Sequence, residues 1–202
     1  MFIGIYGVSV LFSYLGMVLN FVSIYLMLTG NIKLSILCFM GSAFIDMIDG
    51  RIARKCKRND FEKSFGEQID TVLDVFNFGA VPIILLYLVG FNDLISVLFL
   101  GIYLFCATMR LAYFNTRLSN GDGSNVYLGF PVTSSGIFIP IVILTYLLTN
   151  SIFVGRGFLL IMSLLFILNI RIVKPKGKWF LILMTGMGLG IFILCFILIL
   201  RN

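Results

Sequence analysis

The sequence predicts an all-α, polytopic transmembrane bundle of about seven spans, forming a single domain over residues 1–202. Three observations lead there. Hydrophobic residues fill 60% of the chain and charged residues only 12%, about half the charged share usual in a soluble domain. The mean hydropathy is +1.08. The apolar residues fall in runs close to the roughly 20 residues that a helix needs to cross the hydrocarbon core. Turn-forming or charged stretches separate these runs.

Each element follows from that pattern. Residues 1–28 carry no charge and give the first span, from about Tyr6. No basic segment precedes the run, so it reads as a retained span and not as a cleaved signal. Gly30-Asn31 turns the chain. A second helix runs from about Ile32 to Arg54, its apolar part ending at Ile45. A basic, polar loop, Lys55 to Lys63, leads to a third helix from near Gly66 to about Val89. After Gly90-Phe91-Asn92-Asp93 a fourth helix covers Leu94 to Asn115. Arg117 to Gly129 is the longest non-helical stretch, with Gly121-Asp122-Gly123 as its turn signal. Pro131 suits the first turn of a fifth helix that ends near Asn150, and Pro140 inside it is a kink site. A sixth span covers Arg156 to Val173. Lys174 to Lys178 breaks the chain before a seventh, Trp179 to Leu200, with Trp179 placed as an interfacial anchor. Gly186, Gly188 and Gly190 would let helices approach closely there.

Charge sets the orientation. Of the 15 basic residues, alternate loops and helix ends gather 12 on one side (Arg51 to Lys63, Arg110, Arg117, Arg171 to Lys178) and leave Lys33, Arg156 and Arg201 on the other. By the positive-inside rule the first set is cytoplasmic, the amino terminus inside and the carboxyl terminus outside. The net charge of +6 then follows from topology and calls for no nucleic-acid partner. The four cysteines form no C-x2-C and read as small apolar residues.

One stretch carries chemistry. Phe44 to Gly79 holds seven of the nine acidic residues, and four of these are aspartates in two pairs, Asp46 with Asp49 and Asp70 with Asp74. Spacings of three and four put each pair on one helical face. Four carboxylates drawn together in low dielectric repel one another unless a cation offsets them. Oxygen donors suit Mg²⁺, Mn²⁺ or Ca²⁺. The chain has no histidine, so a histidine ligand or base is excluded. By themselves the aspartates fit either an enzyme or a cation transporter or proton relay.

The pattern Asp46-x2-Asp49-Gly50-x2-Ala53-Arg54, a spacer, then Gly66-x3-Asp70-x3-Asp74 resembles the signature of the CDP-alcohol phosphatidyltransferases, membrane enzymes of phospholipid synthesis. Eleven residues separate Arg54 from Gly66, a longer spacer than is usual in that family. The resemblance implies a six-helix core, here with one further span, and transfer of a phosphatidyl group from a CDP-activated lipid to an alcohol with release of CMP. It implies Asp46, Asp49, Asp70 and Asp74 as ligands of a divalent metal, two Mg²⁺ or Mn²⁺ ions, with Asp74 also the general base. It implies Asp49, Gly50, Ala53, Arg54, Gly66 and Asp70 as the CDP-lipid site, a homodimer, and a multi-pass place in the cell membrane with the site facing the cytoplasm.

The acceptor is read from a second resemblance. Arg110-Leu111-Ala112-Tyr113-Phe114-Asn115 and Gly129-Phe130-Pro131 are similar to segments of bacterial and archaeal phosphatidylserine synthases. Asp74-Val75-Phe76-Asn77-Phe78-Gly79 is also similar, with Asn77 in place of a serine. This implies CDP-diacylglycerol and L-serine as substrates. Serine's carboxylate needs a cation, and Arg110 and Arg117 stand on one face of the fourth helix. Glycerol 3-phosphate or an inositol phosphate as acceptor would demand a denser basic pocket.

Overall fold

The computed structural model describes residues 4–5, 7–55, 58–119 and 126–173. Among them the chain is helical, apart from one short ladder. Helix α1, Val8–Leu28, and helix α2, Ile32–Lys55, form a tight hairpin. The turn closes as a Schellman motif: Gly30 N–H bonds Met27 C=O at 3.1 Å, and Asn31 N–H bonds Leu26 C=O at 2.8 Å. Gly30 has φ +82°, which a side chain would oppose.

Helix α3, Asp60–Asp74, widens into a π turn, Val75–Ala80, and continues as α4, Val81–Val89. Helices α5, Leu94–Ser119, α6, Ser135–Thr149, and α7, Ile152–Ile167, complete the bundle. Four of these segments are long and apolar enough to cross a membrane: Val10–Leu28, Asp60–Val89, Leu94–Arg117 and Val132–Thr149. Helix α2 is long enough but carries Lys33, Asp46, Asp49, Arg51, Arg54 and Lys55. Helix α7 is apolar but shorter. The chain is a multi-pass membrane protein.

Helix α1 shows how such a bundle is built. Its polar residues Ser13, Asn20 and Ser23 are buried against neighbours, while Leu11, Val18, Phe21 and Tyr25 are exposed. The soluble pattern is inverted, because lipid is as apolar as leucine and only packing and polar contacts favour helix association. Ser23 Oγ accordingly donates to Ser35 C=O of α2 at 2.8 Å. The apolar core lies among α4 to α7, around Leu85, Tyr103, Ile139, Ile143 and Leu159. Gly136 lets α6 meet α2: a Cβ there would stand 2.2 Å from that of Ala43.

Several boundaries differ from the expectation. The third helix starts at Asp60, not near Gly66, so part of the Lys55 to Lys63 loop is helical. A capping box starts it: Glu62 N–H donates to Asn59 Oδ1 at 2.8 Å, and Asn59 N–H to Glu62 Oε2 at 2.9 Å. The fourth helix continues past Asn115 to Ser119. The fifth begins with a 3₁₀ turn, Val132–Ser134, after Pro131. The sixth spans Ile152–Ile167 and does not reach Val173. Instead Arg171–Val173 pairs antiparallel with Val126–Leu128, and Gly129 N–H donates to Ile170 C=O at 3.0 Å. The expected seventh span, with Trp179, Gly186, Gly188 and Gly190, lies outside the described residues.

The helices run alternately up and down, which gives the bundle two ends. One carries the aspartates. At the other, Asp93 and Ser96 hold Arg156 of α7: Arg156 Nη2 lies 2.5 Å from Asp93 Oδ2, and its Nε donates to Ser96 Oγ at 2.9 Å.

Candidate active site

Asp46 and Asp49 lie one turn apart near the end of α2, and Asp70 and Asp74 close α3. The folded chain brings all four together. The carboxyl groups of Asp46 and Asp74 are in hydrogen-bonding contact. Asp49 and Asp70 are joined through α1, whose Ser13 hydroxyl stands 2.7 Å from Asp49 Oδ2 and 3.2 Å from Asp70 Oδ1. Asp49 is buried, and Asp46, Asp70 and Asp74 are half-buried.

The electrostatics follow from this arrangement. Two bare carboxylates cannot remain in contact, so a proton or a cation must sit between Asp46 and Asp74. The donors are all oxygen, four carboxylates with a hydroxyl beside them, and such a set fits a hard divalent cation. Among the described residues, no three acidic or cysteine side chains stand close enough together to hold a metal ion as they are placed. The fit rests on donor type and on the Asp46–Asp74 and Ser13-linked Asp49–Asp70 contacts.

The other expected residues divide. Arg110 on α5 is buried, lies within electrostatic reach of Asp74, and places its guanidinium 5.0 Å from the centre of the Phe114 ring. Arg117 stands two turns further along, half-buried in the last turn of α5. Gly66 is buried beneath Arg58: a Cβ at Gly66 would meet Arg58 Nη1 at 3.0 Å. Gly50, Ala53 and Arg54 continue α2 beyond Asp49, and their side chains lie outside what the structure describes.

Three groups escaped the sequence reading. Ser13 had a usable signal, since Ser13, Asn20 and Ser23 fall on one helical face of an otherwise apolar span. Arg58, expected to serve topology, also lies within electrostatic reach of Asp70. Asn115 donates from Nδ2 to Thr71 Oγ1, which ties the Arg110 to Asn115 segment to the residue after Asp70. No spacing rule foretells that pairing.

Comparison with known proteins gives concordant matches. The family model described as CDP-alcohol phosphatidyltransferase matches residues 8–196. Archaetidylserine synthase of Methanothermobacter thermautotrophicus is 30% identical over 121 residues, covering 59% of this chain and 50% of that protein. CDP-diacylglycerol–serine O-phosphatidyltransferase of Helicobacter pylori is 27% identical over 148 residues, covering 69% of this chain and 61% of that protein. The enzyme of that name from Bacillus subtilis is 29% identical over 126 residues, covering 61% and 68%. The chain thus spans between half and about three fifths of the length of the first two relatives.

Proposed function

Because the chain belongs to the CDP-alcohol phosphatidyltransferase family, we propose that it transfers the phosphatidyl group of CDP-diacylglycerol, or of a diether counterpart, to the hydroxyl of L-serine. The relatives' printed activities support this choice of substrates. The observation that carries it is the meeting of the two aspartate pairs beside a buried arginine.

In this reading Asp74 accepts the proton of the serine hydroxyl as its oxygen attacks the lipid-linked phosphorus. The phosphorus–oxygen bond to CMP breaks, and CMP leaves with the bonding electrons. An ordinary carboxylate is a weak base, so orientation carries much of the rate. Asp46, Asp49, Asp70 and Asp74 would hold divalent metal, two Mg²⁺ or Mn²⁺ ions, which when bound neutralises pyrophosphate charge. Asp49, Gly50, Ala53, Arg54, Gly66 and Asp70 line the CDP-lipid site. Small residues at 50, 53 and 66 leave room for the nucleotide, and Arg54 offers a fork for phosphate. Arg110, with Arg117 behind it, takes the serine carboxylate.

We assign the aspartate end to the cytoplasmic face of the cell membrane, because the basic residues gather there. The unit is one domain over residues 1–202, working as a homodimer. The deciding assay supplies purified protein with CDP-diacylglycerol, Mg²⁺ or Mn²⁺, and labelled serine, ethanolamine, glycerol 3-phosphate or inositol phosphate. Serine-dependent CMP release that Asp74→Asn abolishes in a folded protein supports the reading. Preference for glycerol 3-phosphate removes serine but leaves the chemistry. Metal flux without CMP release would make the protein a transporter.

A further inference from the structure

Asp74 ends α3, and the π turn begins with the next residue. In that turn N–H groups reach back five residues, and Val81 N–H accordingly meets Phe76 C=O. One extra residue is absorbed, which rotates the preceding helix by about 100° relative to an unbroken one. Pro82 has no N–H, so it can complete neither an α nor a π bond to this segment. The direction in which Asp74 points therefore depends on the π turn keeping its place.

Buried side chains grip the turn from two sides. Asn20 of α1 donates from Nδ2 to Asn77 Oδ1 at 2.8 Å and to Ser42 Oγ at 2.9 Å. Opposite, the Tyr103 hydroxyl donates to Phe78 C=O at 2.8 Å and lies 2.6 Å from Ser135 Oγ. Asn20, Ser42, Tyr103 and Ser135 are fully buried, and Asn77 is 2% exposed. Asn20 holds Asn77 at a cost, because its own Oδ1 is buried with no hydrogen-bond partner among the described residues. A leucine would avoid that loss in an apolar span. The contacts that Asn20 makes offset it.

We propose that Asn20 is a positioning residue for the transfer: acting through Asn77, it locks the π turn in register and so aims Asp74 at Asp46 and at the acceptor hydroxyl. The proposal rests on the assignment of Asp74 as base. Among the described residues, the side-chain hydrogen bonds of Asn20 go to Asn77 and Ser42 and not to Asp74. Seven residues beyond Ser13, it stands about two turns deeper in the bundle than the serine that contacts Asp49.

The test compares wild type with Asn20→Ala, Asn20→Leu, Asn77→Ala, Asn77→Ser and the Asn20→Ala/Asn77→Ala double variant, all full length. Turnover, thermal midpoint and hydrogen exchange over residues 75–81 are measured on each. A displacement of about 1 Å can cost roughly a hundredfold in rate. Each Ala variant is therefore expected to lose about ten- to a hundredfold in kcat, with KM for CDP-diacylglycerol changed less than about twofold. The double variant should be no worse than the worse single one, Asn77→Ser should retain more activity than Asn77→Ala, and exchange in the π turn should rise. Asn20→Leu fills the space without the amide, so it should fold and show the same kcat loss. Full kcat in folded Asn20→Leu, or additive losses in the double variant, would overturn the proposal. If wild type releases no CMP with any alcohol, the transfer reading falls by itself. Exchange then judges the lock, and unchanged exchange over 75–81 in Asn20→Leu would overturn it.

Discussion

Ser13 on α1 and Asp49 on α2 are joined by a buried 2.7 Å hydrogen bond. A hydroxyl has one proton to give, and the longer 3.2 Å contact to Asp70 makes Asp49 its better acceptor. The first helix, which carries no charged residue, thereby reaches the centre of the aspartate cluster.

Replacing Ser13 with alanine leaves Asp49 without this donor. Hydrogen bonds to charged groups are worth about 1.5–3 kcal/mol, or roughly ten- to a hundredfold. Ser13→Ala is expected to lower serine-dependent CMP release by that factor and to raise the Mg²⁺ concentration needed for half activity. Ser13→Thr should stay near wild type. Equal metal requirements in all three proteins would remove Ser13 from the site.

Arg110 tests the acceptor. With serine, Arg110→Ala is expected to lose about ten- to a hundredfold in kcat/KM. With ethanolamine, which has no carboxylate, the loss should be much smaller. Lysine should restore little if the arginine contact is two-pronged. Equal losses with both acceptors would move Arg110 to phosphate binding or to support of Asp74.

At the opposite end, Asp93 gives a pH signature. The Ser96 hydroxyl, then Arg156 and the Ser96 N–H, hold its carboxyl down from 3.8 to about 2. A folded-state value below the unfolded one means that protons favour the unfolded chain. The contribution is therefore complete above about pH 4 and fades as pH falls toward 2. Asp93→Asn should lower the thermal midpoint in detergent at neutral pH, and the gap from wild type should close over that acid window. A gap independent of pH would show that the carboxylate charge is not what matters.

Orientation can be read by labelling. In a background with the native cysteines replaced, Lys63→Cys should react only from the cytoplasmic side and Asn92→Cys only from the other. Both positions are exposed, at opposite ends of Asp60–Val89. Reaction of both from one side would break the span assignment.

What could be read in advance was whatever repeats locally. Apolar runs and basic loops gave most spans, and spacings of three and four gave the faces of the aspartate pairs. The start of α3 was legible too: Asn59-Asp60-Phe61-Glu62 is a capping-box sequence, hidden by its basic surroundings. The end of α7 had only a short signal: Leu168-Asn169-Ile170-Arg171-Ile172 alternates apolar and polar residues as a strand does, but five residues of alternation are easily absorbed into the long apolar run before them. Contacts between helices leave no local trace. Nothing near Asp49 names Ser13, and nothing near Asn77 names Asn20. The π turn after Asp74 had one hint, Pro82, which shows where the ladder opens but not which register it takes.

The inverted character of α1 bears on how the protein is made. A nascent α1 alone in the bilayer would turn Ser13, Asn20 and Ser23 toward acyl chains, where they find no partners. The next segment synthesised supplies them: Ser35 meets Ser23, Ser42 meets Asn20, and Asp49 meets Ser13, in the order in which they emerge. The short turn at Gly30 lets the two helices zip together from that end as α2 is translated. Biogenesis thus favours entry of α1 and α2 as a pair, and Asp49 arrives with a hydroxyl already waiting for it.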